Sequence, residues 1–144
     1  MNNRKALLII DMQKGSFTSE TPRFDTEGVV CRINELANSF RNKNFPVIII
    51  QHDGTGSGAF EKNAKDWECL DELKLTKDDI RIDKYANDVF YQSDLQTKLS
   101  ELNVSEIFIS GCATDFCVES TVQSALVKEP FCMSMINKAL RLFI

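Results

Sequence analysis

The sequence holds a single histidine, His52, in 144 residues. A Ser-His-Asp triad or a multi-histidine metal site would have to be built from that residue alone. The five cysteines, Cys31, Cys69, Cys112, Cys117 and Cys132, are odd in number and irregularly spaced, with no Cys-x-x-Cys pair. A disulfide framework is therefore not expected, and the thiols are read as free. Cys112 and Cys117 stand five residues apart, which suits neither a dithiol redox pair nor common zinc-ligand spacing. Long apolar runs are missing as well. Residues 6–10 are apolar, but a membrane span needs about twenty such residues and a signal segment at least about seven. A soluble, cytoplasmic protein without a membrane partner is expected. No charge of one sign dominates, since 17 Lys+Arg face 21 Asp+Glu for a net of −4. Without a basic stripe, nucleic acid is excluded as an expected partner. Internal repeats, low-complexity tracts and interdomain linkers are absent too. Residues 1–144 are read as one domain, and an apolar content of 43% suffices for its core.

What is present is an alternation of strand and helix signals. Residues 6–10 form an apolar run without polar alternation, as expected of a strand buried on both faces. Asp25 or Thr26 is placed to cap a helix reaching about Asn42, with Val30, Ile33, Leu36, Ala37 and Phe40 on its apolar face. Pro46 opens a second buried strand over 47–50, and a loop with Gly54, Gly56, Ser57 and Gly58 follows. A third strand is expected over 80–83. Ser93 and Gln96 have the spacing of a capping box before Leu95, Leu99 and Leu102. A fourth strand spans 106–110, and a turn at Gly111 leads into a helix over 115–127 that Pro130 stops. Residues 131–136 make a fifth strand. This alternation predicts an α/β fold of three α/β/α layers around a mostly parallel, Rossmann-like sheet.

In open parallel sheets, ligands bind at the carboxyl ends of the strands. Asp11 follows the first strand, Gln51, His52 and Asp53 the second, Lys84 the third, and Cys112 and Cys117 the fourth. Taken singly, each has an ordinary explanation. Asp11 could cap a turn, Lys84 could be solvated, and Cys117 could be a small buried hydrophobe. Cys31 and Cys69 read as structural, and His52 as a polar loop or pocket residue. Together the acid, amine and thiol say more. A cysteine nucleophile acts as thiolate, which a helix N-terminus and a lysine favour, while a carboxylate can accept the proton. Backbone N–H groups in the turn 111–117 could hold a developing oxyanion.

Four segments carry a more specific signal: ALLIIDMQ (6–13), VIIIQHDG (47–54), KYANDVF (84–90) and GCATDFCV (111–118). In this order they resemble the isochorismatase-like cysteine hydrolases, a superfamily that includes nicotinamidases and N-carbamoylsarcosine amidohydrolase. The resemblance runs from residue 5 to about 127. It implies that Asp11, Lys84 and Cys117 form the catalytic triad, with Asp11 accepting the thiol proton, Lys84 stabilising charge and Cys117 attacking a carbonyl carbon. It implies a non-proline cis peptide at Cys112–Ala113, with the N–H groups of Ala113 and Cys117 as oxyanion donors. Phe17, Trp67 and Phe116 read either as pocket walls that contact substrate or as ordinary core and rim packing.

The departures from the family pattern shape the expectation. Asp53 could match the aspartate of the nicotinamidase metal site, but the accompanying histidines are missing, so no metal and no cofactor are expected. True isochorismatases lack the nucleophilic cysteine, so Cys117 points to an amide, imide or ureido bond of a small-molecule substrate. The family commonly forms dimers or tetramers, which implies a homo-oligomer here. Family domains usually continue with a further helix and often a strand, so the chain reads as shortened at its C-terminus, with an apolar tail over 139–144. The competing expectation is a degenerate or truncated member that binds a small molecule or partner without turnover.

Overall fold

The structure is a computed structural model that describes residues 4–128 and 132–135. In chain order it contains β1 (Arg4–Ile10), α1 (Thr26–Asn42), β2 (Val47–His52), β3 (Ile80–Lys84), α2 (Leu95–Glu101), β4 (Val104–Gly111), α3 (Glu119–Val127) and β5 (Cys132–Met135). A π-helical turn, Thr114–Val118, precedes α3. The strands lie in the order β3-β2-β1-β4-β5, and every neighbouring pair is parallel. The expected mostly parallel sheet is thus parallel throughout its five strands.

The central position of β1 follows from its composition. Ala6, Leu7, Leu8, Ile9 and Ile10 are all buried. Successive side chains point to opposite faces, so such a run needs cover on both. Leu7 and Ile9 join Val29, Val30, Ile33, Ala37 and Phe40 of α1 on one face. Leu8 and Ile10 join Leu95 and Leu99 of α2 and Ala125 of α3 on the other. The result is three α/β/α layers. Each fully buried Leu or Ile contributes about 1.5–3 kcal/mol, which makes β1 the costliest strand to expose.

Helix ends account for most local differences from expectation. At the C-terminus of α1, Asn44 takes φ +55, which asparagine tolerates. Asn44 N–H then donates to Arg41 O and Phe45 N–H to Phe40 O, both at 2.9 Å. This is the Schellman arrangement, completed by an edge contact of the Phe40 and Phe45 rings at 5.9 Å. At the N-terminus of α1, Asp25 occupies the cap position in a left-handed conformation, and its side chain caps nothing. Its carboxylate turns instead to Arg32 Nη2 at 2.9 Å. The same carboxylate occupies the space where a Cβ on residue 28 would sit, so a larger residue there would have to displace it.

The capping box also forms only in half. Ser93 Oγ accepts from Leu95 N–H, but the buried Gln96 Oε1 finds no donor among the described residues. Gln96 sits one position too near the start of a helix whose first residue is Leu95. The helix expected from residue 115 opens with the wider π turn, and α3 ends at Val127. Pro130, expected to stop that helix, and the apolar tail 139–144 lie outside the described residues, as do the end residues 131 and 136 of the fifth expected strand.

Candidate active site

The chain runs outward from β1 to β2 and β3, then crosses back to β4 on the other side of β1. This reversal makes the carboxyl ends of β1 and β4 the topological switch point, the usual ligand position in such sheets. The two ends approach closely. Cys112 N–H donates to Ile10 O at 2.8 Å, and Asp11 N–H donates to Ile50 O at 2.9 Å. A Cβ on residue 111 would lie 2.0 Å from Ile10 O, and φ is +133 there. Glycine is therefore required at 111 to let the thiol-bearing turn lie against the strand that delivers Asp11. The Cys112–Ala113 peptide is cis. Asp11 itself has φ +50, a left-handed conformation that aspartate accepts more readily than most residues.

Lys84 ends β3 in register with His52 of β2. Its side chain is 1% exposed. The ammonium donates to Asp11 Oδ2 at 2.8 Å, to Ala86 O at 2.9 Å and to Cys117 Sγ at 3.3 Å. These three acceptors use its three N–H bonds. Cys117 Sγ lies 3.7 Å from Asn87 Oδ1. Asp11 Oδ1 is buried, with no hydrogen-bond donor among the described residues. Thr121 fixes the thiol-bearing turn from behind: its Oγ1 donates to Cys117 O at 2.6 Å and accepts from Val89 N–H at 3.3 Å. Asp11, Lys84, Cys117, Asn87, Gln13, Ser16, His52 and Phe60 line a cavity of about 160 Å³.

Burial comes first, and the negative charge of Asp11 second, in raising the Cys117 pKa. Lys84 pulls the other way, and the balance leaves the thiol pushed up to about 12. Cys117 is thus protonated at rest beside a carboxylate. His52 moves in the opposite sense, lowered by burial and by the Lys84 charge, so its imidazole is neutral. Asp53 is drawn off by its own loop. Its carboxylate accepts Thr55 N–H at 2.9 Å and Thr55 Oγ1 at 2.5 Å, which hold its pKa low.

The three expected pocket walls are not at this cavity. Phe17 lines a separate hollow of about 410 Å³ beside α1, with Thr26, Val30 and Leu70. Trp67 lines a groove of about 380 Å³ with Gln51 and Arg81. Phe116 is 55% exposed. Adjacent residues of a turn point in different directions, so Cys117 turns inward and Phe116 outward. The aromatic that does line the cavity is Phe60, from the loop after β2. No local pattern marks it. Asn87 and Gln13, by contrast, lie within the quoted segments 84–90 and 6–13.

Gln13 is fully buried and ties the site together. Its Oε1 accepts His52 N–H at 2.8 Å, and its Nε2 donates to His52 O at 3.0 Å and Trp67 O at 2.9 Å. Of the expected oxyanion donors, Ala113 caps the start of the π turn and Cys117 lies within it. Ala113 O accepts the N–H groups of Phe116 and Val118, which tightens the turn around Cys117.

A parallel α/β/α sheet with an acid, an amine and a thiol gathered at its switch point defines an enzyme scaffold. The isochorismatase domain matches residues 5–133, and the chain belongs to the isochorismatase family and is a hydrolase. It is 30% identical over 124 residues to the uncharacterized isochorismatase family protein YddQ of Bacillus subtilis, covering 84% of this chain and 69% of YddQ. A shorter stretch of 66 residues is 33% identical to the ureidoacrylate amidohydrolase RutB of Caulobacter vibrioides, covering 46% of this chain and 29% of RutB. The crystal structure of a cysteine hydrolase from Pseudomonas syringae pv. phaseolicola matches with a TM-score of 0.85 at 25% identity, over 96% of this chain and 73% of that one. Among the described residues, no helix is long and apolar enough to cross a membrane.

Proposed function

We propose that this hydrolase cleaves the carbon–nitrogen bond of a small amide, imide or ureido compound through a covalent intermediate on Cys117. The observation that carries the reading is the convergence of Asp11, Lys84 and Cys117 in one cavity. The similarity to a protein named as an amidohydrolase supports the choice of bond.

Each residue has a distinct role. As Sγ forms its bond to the carbonyl carbon, the thiol proton passes to Asp11 Oδ1, the carboxylate oxygen that Lys84 leaves free. Ionisation accompanies attack, because a thiol so firmly protonated at rest gives up its proton only as the new bond forms. Lys84 stands 3.3 Å from the sulfur and offsets the charge that builds there. The N–H groups of Ala113 and Cys117 receive the oxyanion. The tetrahedral adduct collapses, the carbon–nitrogen bond breaks, and nitrogen leaves with the proton from Asp11. A water molecule then gives a proton to Asp11 and attacks the thioester. The carbon–sulfur bond breaks, and the proton returns to sulfur. The volume of about 160 Å³ lies below the usual range of about 300–1,000 Å³ for drug-sized ligands, which suits a compact substrate.

The test is a panel of small amides, imides and ureides read by ammonia release, with the parent and Cys117→Ser compared on every active compound. The expected result is turnover by the parent, near-complete loss in the variant, and an acyl adduct on Cys117 by peptide mass after rapid quenching. Equal rates for parent and variant would overturn the reading.

A further inference from the structure

The cavity has more polar side chains than the chemistry uses, and hydrogen-bond capacity separates them. Lys84 has spent all three of its donors. Gln13 has spent both amide hydrogens and its carbonyl on His52 and Trp67. Asp11 and Cys117 are the reacting pair. The Asn87 amide, whose Oδ1 faces the thiol, and the Ser16 hydroxyl are further donors in the lining. His52 is different. Its backbone N–H and C=O are both clamped by Gln13, and its ring meets Phe60 edge-on at 5.9 Å. The imidazole is thus held in place, yet Nδ1 is buried with no hydrogen-bond partner among the described residues. A buried N–H without an acceptor is costly, so the single proton of the neutral ring belongs on Nε2. A rigid ring with one N–H to offer, in the wall of a reaction cavity, is a means of orienting a ligand.

We propose that His52 is a substrate-positioning residue, donating a hydrogen bond from Nε2 to a second acceptor oxygen, carbonyl or carboxylate, that the substrate carries beyond its scissile carbonyl. This rests on the reading of Cys117 as nucleophile and narrows its substrate class to small amides with two acceptor oxygens. His52 takes no part in bond breaking. It fixes the angle at which the scissile carbonyl meets Sγ, so its contribution is to binding and alignment. The adjoining Phe60 ring shields that hydrogen bond from water.

The test uses two electrophiles that differ in the second oxygen: bromoacetone, with one carbonyl, and 3-bromopyruvamide, with two. Saturation kinetics of Cys117 labelling, read by peptide mass, are compared for the parent, His52→Leu and His52→Gln. Comparing the two reagents within each protein cancels their intrinsic reactivities. In His52→Leu, the half-saturating concentration of bromopyruvamide should rise about tenfold, the worth of one hydrogen bond between neutral partners. That of bromoacetone, and the maximal labelling rates of both, should stay within twofold. His52→Gln keeps an amide donor and should recover part of the preference. If His52→Leu weakens both reagents equally, or neither, the proposal is overturned while the Cys117 reading stands. If Cys117 is not labelled in the parent, both fall. Circular dichroism of each variant confirms folding, and His52→Gln alone decides the matter if His52→Leu does not fold.

Discussion

Replacing Asp11 with asparagine should make Cys117 react faster with a simple alkylating agent while abolishing turnover. Asparagine accepts the left-handed conformation at position 11, so the change is electrostatic rather than conformational. In the parent, Asp11 lies 2.8 Å from the Lys84 ammonium and neutralises most of its effect on the sulfur. A full charge on sulfur 3.3 Å from that ammonium would be attracted by about 5 kcal/mol at an effective dielectric constant of about 20. If solvent screening removes half, about 2.5 kcal/mol remains, close to two decades in the thiol's ionisation constant. A lower pKa also makes a weaker nucleophile, with a Brønsted coefficient of about 0.4–0.5, so roughly half of that gain is lost. The net expectation is about tenfold faster alkylation of Cys117 in Asp11→Asn at pH about 7.5. The assay is pseudo-first-order labelling with iodoacetamide, resolved by peptide mass so that the exposed Cys31 is counted separately. In the parent, the rate should climb about tenfold per pH unit without levelling off up to pH about 9, because the thiol is pushed up to about 12. Amide hydrolysis by the same variant should fall at least about 100-fold, the usual contribution of a positioned proton acceptor. Unchanged or slower alkylation in Asp11→Asn would refute the charge balance drawn here.

Three further outcomes follow from the packing around the site. Gln13→Leu strips three hydrogen bonds from the ends of β1 and β2 and should cost about 3 kcal/mol in urea unfolding; a loss below about 1 kcal/mol would contradict its role as a tie. Gly111→Ala drives a Cβ to within 2.0 Å of Ile10 O and should cost on the order of 3 kcal/mol or prevent folding, so a variant with the parent's midpoint would rule out the close approach. Cys112 and Cys117 hold their protons more tightly folded than unfolded, pushed up to about 11 and about 12 from 9.0. Their contribution is intact below pH about 9 and is lost as pH rises toward 11, so stability should fall more steeply in the parent than in a Cys112→Ala, Cys117→Ala variant. Parallel declines of the two proteins over that range would remove the thiols as the cause.

Much of this was legible in one dimension because it depends on local pattern. An unalternating run such as 6–10, short and followed by a polar residue, reads as a strand covered on both faces, and β1 is the central strand. Polar residues just past each strand could be named as candidates because parallel strands end at one edge of a sheet. Where reasoning by spacing fell short, the determining contact came from elsewhere in the chain. Ser93 and Gln96 have capping-box spacing, but the helix starts at Leu95. Phe17, Trp67 and Phe116 come from segments around the site, yet none of them lines its cavity. Phe60 reaches the cavity through a loop whose path no periodicity encodes.

The sequence by itself determined the layered α/β class and the kinds of chemistry available: carboxylates, an amine and thiols at strand ends, with a single imidazole among them. Both follow from side-chain periodicity and from the residue inventory, which are properties of neighbours along the chain. Only the tertiary structure decided that β1 lies between β2 and β4, so that residues 11, 84 and 117 share one cavity. It alone decided that the Cys117 pKa is raised and the His52 pKa lowered. A pKa sums burial and charges across strands that are distant in sequence, and here burial and Asp11 outweigh Lys84 at the thiol.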